Sequence, residues 1–113
     1  YMAPEHFDPD REITQLTDIF AMGSTMYRML AKKYPFNKDN TIHQILNKSP
    51  VSIRELRPDV PKEVSDIVDK AMAKSDVDRF QSAAKFAIEV ENVMNKLYPN
   101  STLMNNSKEY MLI

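Results

Sequence analysis

The sequence predicts an all-α fold of four or five helices around one enclosed helix. Two observations carry this expectation. Apolar residues recur at three- and four-residue spacing in several stretches, whereas no stretch alternates with the two-residue period of a strand. One segment, Thr17 to Lys32, is apolar on nearly every side, as a helix surrounded by protein must be.

The elements follow in order. The enclosed helix is predicted to begin at Thr17, an N-cap residue, with Asp18 suited to the positive end of the helix dipole. It is predicted to end near Lys32 and Lys33, ahead of Pro35, which cannot continue a helix. Asn40 to Lys48 offers a short helix with Ile42, Ile45 and Leu46 on one face, and Ser49 to Val60, with Pro50 and Pro58, reads as loop. From Lys62 to Lys74 the apolar positions Val64, Ile67, Val68, Ala71 and Met72 make one stripe, with Glu63, Asp66, Asp69 and Lys70 facing away. A last helix is expected from Ser82, a good N-cap, to Leu97 before Pro99, burying Phe86, Val90 and Val93. Lys85 stands where a capping box would want Glu or Gln. Residues 1–98 are thus one helical unit, and residues 99–113 read as a polar, flexible tail.

Composition excludes several function classes. The chain has 113 residues and 42% hydrophobic content, enough for one core. Its 15 basic and 16 acidic side chains give a net charge of -1, so no global field draws in nucleic acid or anionic lipid. Cysteine is absent, which removes thiol nucleophiles, disulfides and thiolate metal sites. There is no long apolar run and no basic region followed by an apolar one, so the segment is expected to be soluble and cytoplasmic. Gly23 is the one glycine, so a glycine-rich phosphate loop cannot be built in its usual form. Asp8 and Asp10 beside His6 read as a solvated loop rather than a metal site, and the eight methionines as core filler. Asn100-Ser101-Thr102 and Asn105-Asn106-Ser107 have the form of glycosylation acceptors, which matter only in a secreted context.

Four short motifs stand in a meaningful order: Tyr1-Met2-Ala3-Pro4-Glu5, Asp18-Ile19-Phe20-Ala21-Met22-Gly23, Pro35-Phe36, and Asp78-Arg79-Phe80-Gln81-Ser82-Ala83. Together they resemble the eukaryotic-type serine/threonine protein kinases, over the C-terminal part of the large lobe from the Ala-Pro-Glu motif onward. The resemblance covers about Tyr1 to Leu97. It implies that Glu5 pairs with Arg79 and ties the activation segment to the base of the lobe. Composition alone would leave both as solvated surface charges. Asp18 is implied to accept backbone hydrogen bonds from the catalytic loop, and Gly23 to allow close backbone packing against the enclosed helix. Tyr1 and Met2 are implied to face the substrate residue that follows the phosphorylated one, and Tyr1 favours serine or threonine as acceptor. Arg28 falls where several kinases that prefer basic substrates carry glutamate, which argues against that preference here.

The resemblance also implies what this segment does not carry. The glycine-rich loop, the nucleotide-holding lysine, the catalytic aspartate and asparagine and the magnesium-binding Asp-Phe-Gly would all precede Tyr1. No catalytic, cofactor-binding or metal residue is therefore assigned here, and ATP and Mg2+ are implied only for the intact parent. The expected function is that of a serine/threonine kinase fragment, inactive alone, that supplies substrate-facing and scaffolding elements. The alternative is a pseudokinase-derived helical module that docks a partner through the Asn40 to Lys48 helix. Expected partners are the rest of the kinase domain, protein substrates of the parent and a second copy of the fragment, without nucleic acid or membrane contact. Self-association is expected because Ile19, Phe20, Met22, Met26, Tyr27 and Met29 are too many for the remaining short helices to cover.

Overall fold

The structure, a computed structural model, describes residues 2–39 and 41–99. Among these residues there are five α-helices and no strand. They are α1 (Gln15–Ala31), α2 (Thr41–Asn47), α3 (Ile53–Leu56), α4 (Lys62–Ala71) and α5 (Ala83–Leu97), with short 3-10 turns at Pro4–Phe7 and Asp76–Asp78. The tail assigned to residues 99–113 lies, apart from Pro99, outside the described residues, and so does Asn40.

Helix α1 starts earlier than its sequence suggests. Thr14 is the N-cap and accepts from the Leu16 amide at 3.1 Å, while the Thr17 hydroxyl reaches back to the Thr14 amide at 3.2 Å. Thr17 therefore sits inside the first turn, because the Thr-x-x-Thr spacing lets two side chains satisfy the free amides reciprocally. At the other end Lys32 takes a left-handed conformation, φ 59 and ψ 25, and its N–H closes onto the Arg28 carbonyl at 3.0 Å.

Two apolar clusters surround α1. Phe20, Tyr27 and Ala31 pack with Ala3, Ile53, Val60, Val68 and Met72, which joins α3 and α4 to the first segment. Ile19 packs with Ile67, Ala71, Phe80, Phe86 and Val93, which brings in α5. Phe80 and Phe86 meet edge to face with centroids 5.0 Å apart. The Tyr27 hydroxyl donates to the Val51 carbonyl at 2.6 Å, so its burial leaves no polar atom stranded.

Several expectations are corrected in detail. Within the stretch read as loop, Ile53–Leu56 makes one helical turn that buries Ile53. Helix α4 ends at Ala71 rather than Lys74, because the chain turns there and offers the Ala73 and Lys74 carbonyls to Arg79. At Ser82 the N-cap forms, accepting from the Lys85 amide at 3.1 Å, without a reciprocal partner from the lysine. Of the six apolar residues of α1 expected to lack cover, Ile19, Phe20 and Tyr27 are buried and Met26 is half-buried. The short helices cover α1 more fully than their length suggested, since α3, α4 and α5 converge on it. Met22 and Met29 remain exposed, the latter at 70%.

Candidate functional site

The most organised polar assembly lies beneath the N-terminal turn. Pro4 opens the 3-10 turn, where its missing N–H costs nothing, and Ala3, Pro4 and Glu5 are all buried. The turn directs the Glu5 carboxylate inward. There Arg79 grips it with two parallel bonds, 2.7 Å to Oε2 and 2.9 Å to Oε1. Both side chains are shielded from water. Arg79 has further acceptors in the carbonyls of Ala73 at 2.8 Å, Leu16 at 3.0 Å and Lys74 at 3.3 Å. Its guanidinium also lies 5.0 Å from the Phe20 ring centroid. Each N–H of the cation thus has an acceptor, which is what a buried guanidinium requires.

The carboxylate has additional partners. The Thr17 hydroxyl donates to Oε2 at 2.7 Å, and Arg11 approaches Oε1 at 3.8 Å while bonding the Lys74 carbonyl at 2.9 Å. Burial works to raise the Glu5 pKa, but the hydrogen bonds from Arg79 and Thr17 and the positive charge outweigh it and lower the group to about 2. One buried knot therefore joins the N-terminal turn, the start of α1 and the segment between α4 and α5.

The other residues singled out in the sequence lie apart. Gly23, in the middle of α1, faces the end of α4, where a Cβ would stand 2.8 Å from Ala71 Cβ and 2.8 Å from Met72 Cγ. Asp18 is exposed on the first turn of α1, away from the Glu5–Arg79 knot. Met2 is exposed and borders a cleft of about 220 Å³ with Ser24, Tyr34, Phe36 and Ile45. Tyr1 lies outside the described residues. Arg28 lies over Tyr34, 4.2 Å from its centroid.

Sequence reasoning gave Thr17 the wrong role and missed Lys74. The Thr14-x-x-Thr17 spacing was the signal for the first. Nothing local signals the second. Lys74 crosses to α2, where its ammonium donates to the Gln44 carbonyl at 3.1 Å and the Ile45 carbonyl at 2.5 Å, and lies 4.5 Å from the Phe36 centroid. Burial, with the nearby charge of Arg79, lowers its pKa to about 8.

Gly23 is packed against Ala71 and Met72, and no group of three or more His, Asp or Glu converges among the described residues. No helix among them is long and apolar enough to cross a membrane.

No protein-family model matches the chain. Curated proteins do. The chain is 36% identical over 107 residues to the tyrosine-protein kinase MasK of Myxococcus xanthus, which covers 92% of this chain and 16% of that protein. It is 32% identical over 99 residues to the serine/threonine-protein kinase PknD of Mycobacterium tuberculosis, covering 83% of this chain and 15% of the relative. It is 27% identical over 96 residues to the probable serine/threonine-protein kinase CPE1738 of Clostridium perfringens, covering 82% and 14%. The chain belongs to the eukaryotic-type protein kinases. It spans about one seventh of the length of these relatives and corresponds to the C-terminal part of the kinase large lobe, an all-helical segment. The Glu5–Arg79 knot ties the N-terminal turn to the segment before the last helix.

Proposed function

We propose that this chain is the substrate-facing and scaffolding part of a protein serine/threonine kinase, whose intact form transfers the γ-phosphate of ATP to Ser or Thr of protein substrates. The observation that carries the reading is the buried, bidentate Glu5–Arg79 pair. It anchors the Ala3-Pro4-Glu5 turn, next to Met2, to the segment between α4 and α5, and Met2 is proposed, with Tyr1, to face the substrate. Asp18, exposed on α1, is proposed to receive the catalytic loop of the intact domain. The nucleotide and its metal are held elsewhere in the parent, so the segment alone is proposed to transfer no phosphate. We also propose a cytoplasmic setting for it.

Tyr1 supports Ser/Thr specificity, whereas one relative is named a tyrosine kinase, and a single experiment separates the two. The intact gene product is incubated with radiolabelled ATP, Mg2+ and a mixed protein substrate, and the phosphoamino acids are resolved. Phosphoserine or phosphothreonine is the expected outcome. Phosphotyrosine alone would overturn the specificity, and no incorporation would leave the interaction-module reading standing in place of the enzyme.

A further inference from the structure

A cleft of about 440 Å³ runs along the seam between α4 and α5. Its floor is made by Ile67, Phe80 and Val93, which are 5%, 6% and 8% exposed. One end is marked by Lys96 of α5, 3.5 Å from Glu63 of α4. The other is marked by the Lys70 ammonium, 4.7 Å from the centroid of Phe80, which precedes α5. The two helices are therefore antiparallel across the cleft, and the chain leaves α5 at the Lys96 end.

The way it leaves points back along the cleft. The Tyr98 amide closes the last turn of α5 onto the Met94 carbonyl at 2.8 Å, and Tyr98 itself has left helical geometry, φ -135 and ψ 63. Pro99 lies in a turn. Pro99 and Asn100 stand at the second and third positions of Tyr98-Pro99-Asn100-Ser101, the places in a β-turn that suit proline and asparagine. Such a turn reverses the chain. Along a helix Val93 and Glu89 lie about 6 Å and about 12 Å back from Leu97, and an extended segment running back from Ser101 covers about 7 Å to Leu103 and about 13 Å to Asn105. These two side chains share one side of an extended segment, and Met104 takes the other.

We propose that residues 100–105 fold back along this cleft, with the Leu103 side chain over Ile67 and Val93 and the Asn105 amide at the Glu89 carboxylate. The size of the floor favours a covalently attached segment over a separate polypeptide. Specific complexes bury roughly 1,200–2,000 Å², whereas three side chains already more than nine-tenths buried offer far less. A tethered segment escapes the cost of association and is present at an effective concentration on the order of millimolar. The docking involves neither nucleotide nor substrate, so its failure and that of the kinase reading are separate results.

The test is nuclear magnetic resonance on the 113-residue chain. Nuclear Overhauser contacts are expected from the Leu103 methyls to those of Ile67 and Val93, and they are expected to remain within one chain when labelled and unlabelled protein are mixed. Leu103→Asp is expected to abolish them and to shift the Ile67 and Val93 methyl signals, but not those of Val60 in the other apolar cluster. The same substitution is expected to speed amide exchange at residues 102–105 at least about tenfold. Contacts only between chains would assign the cleft to a second copy and overturn the proposal. So would contacts made by Leu112 in place of Leu103, the absence of any contact from Leu103, or exchange at residues 102–105 equal in the wild type and the variant.

Discussion

A Cβ added to Gly23 of α1 would lie 2.8 Å from the Cβ of Ala71 on α4, nearer than such atoms approach in real structures. The crossing of these two helices, the main contact of the core, is therefore set by a missing side chain. In an exposed helix Gly→Ala would gain about 1 kcal/mol. Here the methyl meets Ala71, whose Cβ cannot swing aside, as well as the more flexible Met72. Overpacking of this kind costs about 1–3 kcal/mol, so Gly23→Ala is expected to be net destabilising. A denaturant midpoint unchanged or raised would show that α4 yields without cost.

Lys32 presents the converse case. It caps α1 at φ 59, a region where any Cβ is crowded and where glycine is the usual residue. Its side chain is exposed. Lys32→Gly is therefore expected to stabilise the fold by about 0.5–1 kcal/mol, read as a raised thermal midpoint. Lys32→Ala, which keeps the Cβ, should give no such gain.

These positions show what the sequence can and cannot reveal. The stripe Val64, Ile67, Val68 and Ala71 is periodic, and the chain folds it as a helix against α1. Glu5 and Arg79, by contrast, stand 74 residues apart, and periodicity says nothing about such a pair. It came into view only through the resemblance to kinases. Lys74 had neither signal, because its partners are backbone carbonyls, which every residue possesses. The Thr17 hydroxyl was misplaced by one role: local pattern marked it as the cap of α1, whereas Thr14 takes that position and frees Thr17 to bond Glu5.

The anchoring of α2 by Lys74 is open to direct measurement. The last carbonyls of a helix run short of partners within it: that of Ile45 receives the Lys74 ammonium, and that of Gln44 receives it in addition to the Lys48 amide at 2.8 Å. Lys74→Ala leaves the Ile45 carbonyl to water, takes one of two donors from the Gln44 carbonyl and removes the cation from beside Phe36. Amide exchange in residues 41–47 is expected to accelerate, while α4 and α5 keep their protection. Equal acceleration in all three would mean that Lys74 supports the core as a whole rather than α2.

The Glu5–Arg79 pair makes stability depend on acid. The folded Glu5 carboxyl titrates at about 2, against 4.5 for the unperturbed group. The folded pKa is depressed, so between these values the unfolded chain binds more protons than the folded one. Stability from this group is complete above about pH 4.5 and falls as pH drops through about 2. At about 1.4 kcal/mol per pKa unit the contribution is on the order of 3 kcal/mol. Hydrogen bonding, from Arg57 to Asp59 and from the backbone to Glu63, also holds these two carboxyls below their ordinary values, so the whole-protein curve does not isolate Glu5. The difference in unfolding free energy between the wild type and Glu5→Gln does, since both share every other acid. It is expected to narrow steadily from about pH 5 to about pH 2. Arg79→Ala, which strands the carboxylate, is expected to cost about 3–5 kcal/mol near neutral pH and to lose less as the medium becomes acid, because protonation then relieves Glu5. A Glu5→Gln difference that stays flat across that range would show that the carboxylate is hydrated in solution and that Arg79 holds the turn through the Leu16, Ala73 and Lys74 carbonyls alone.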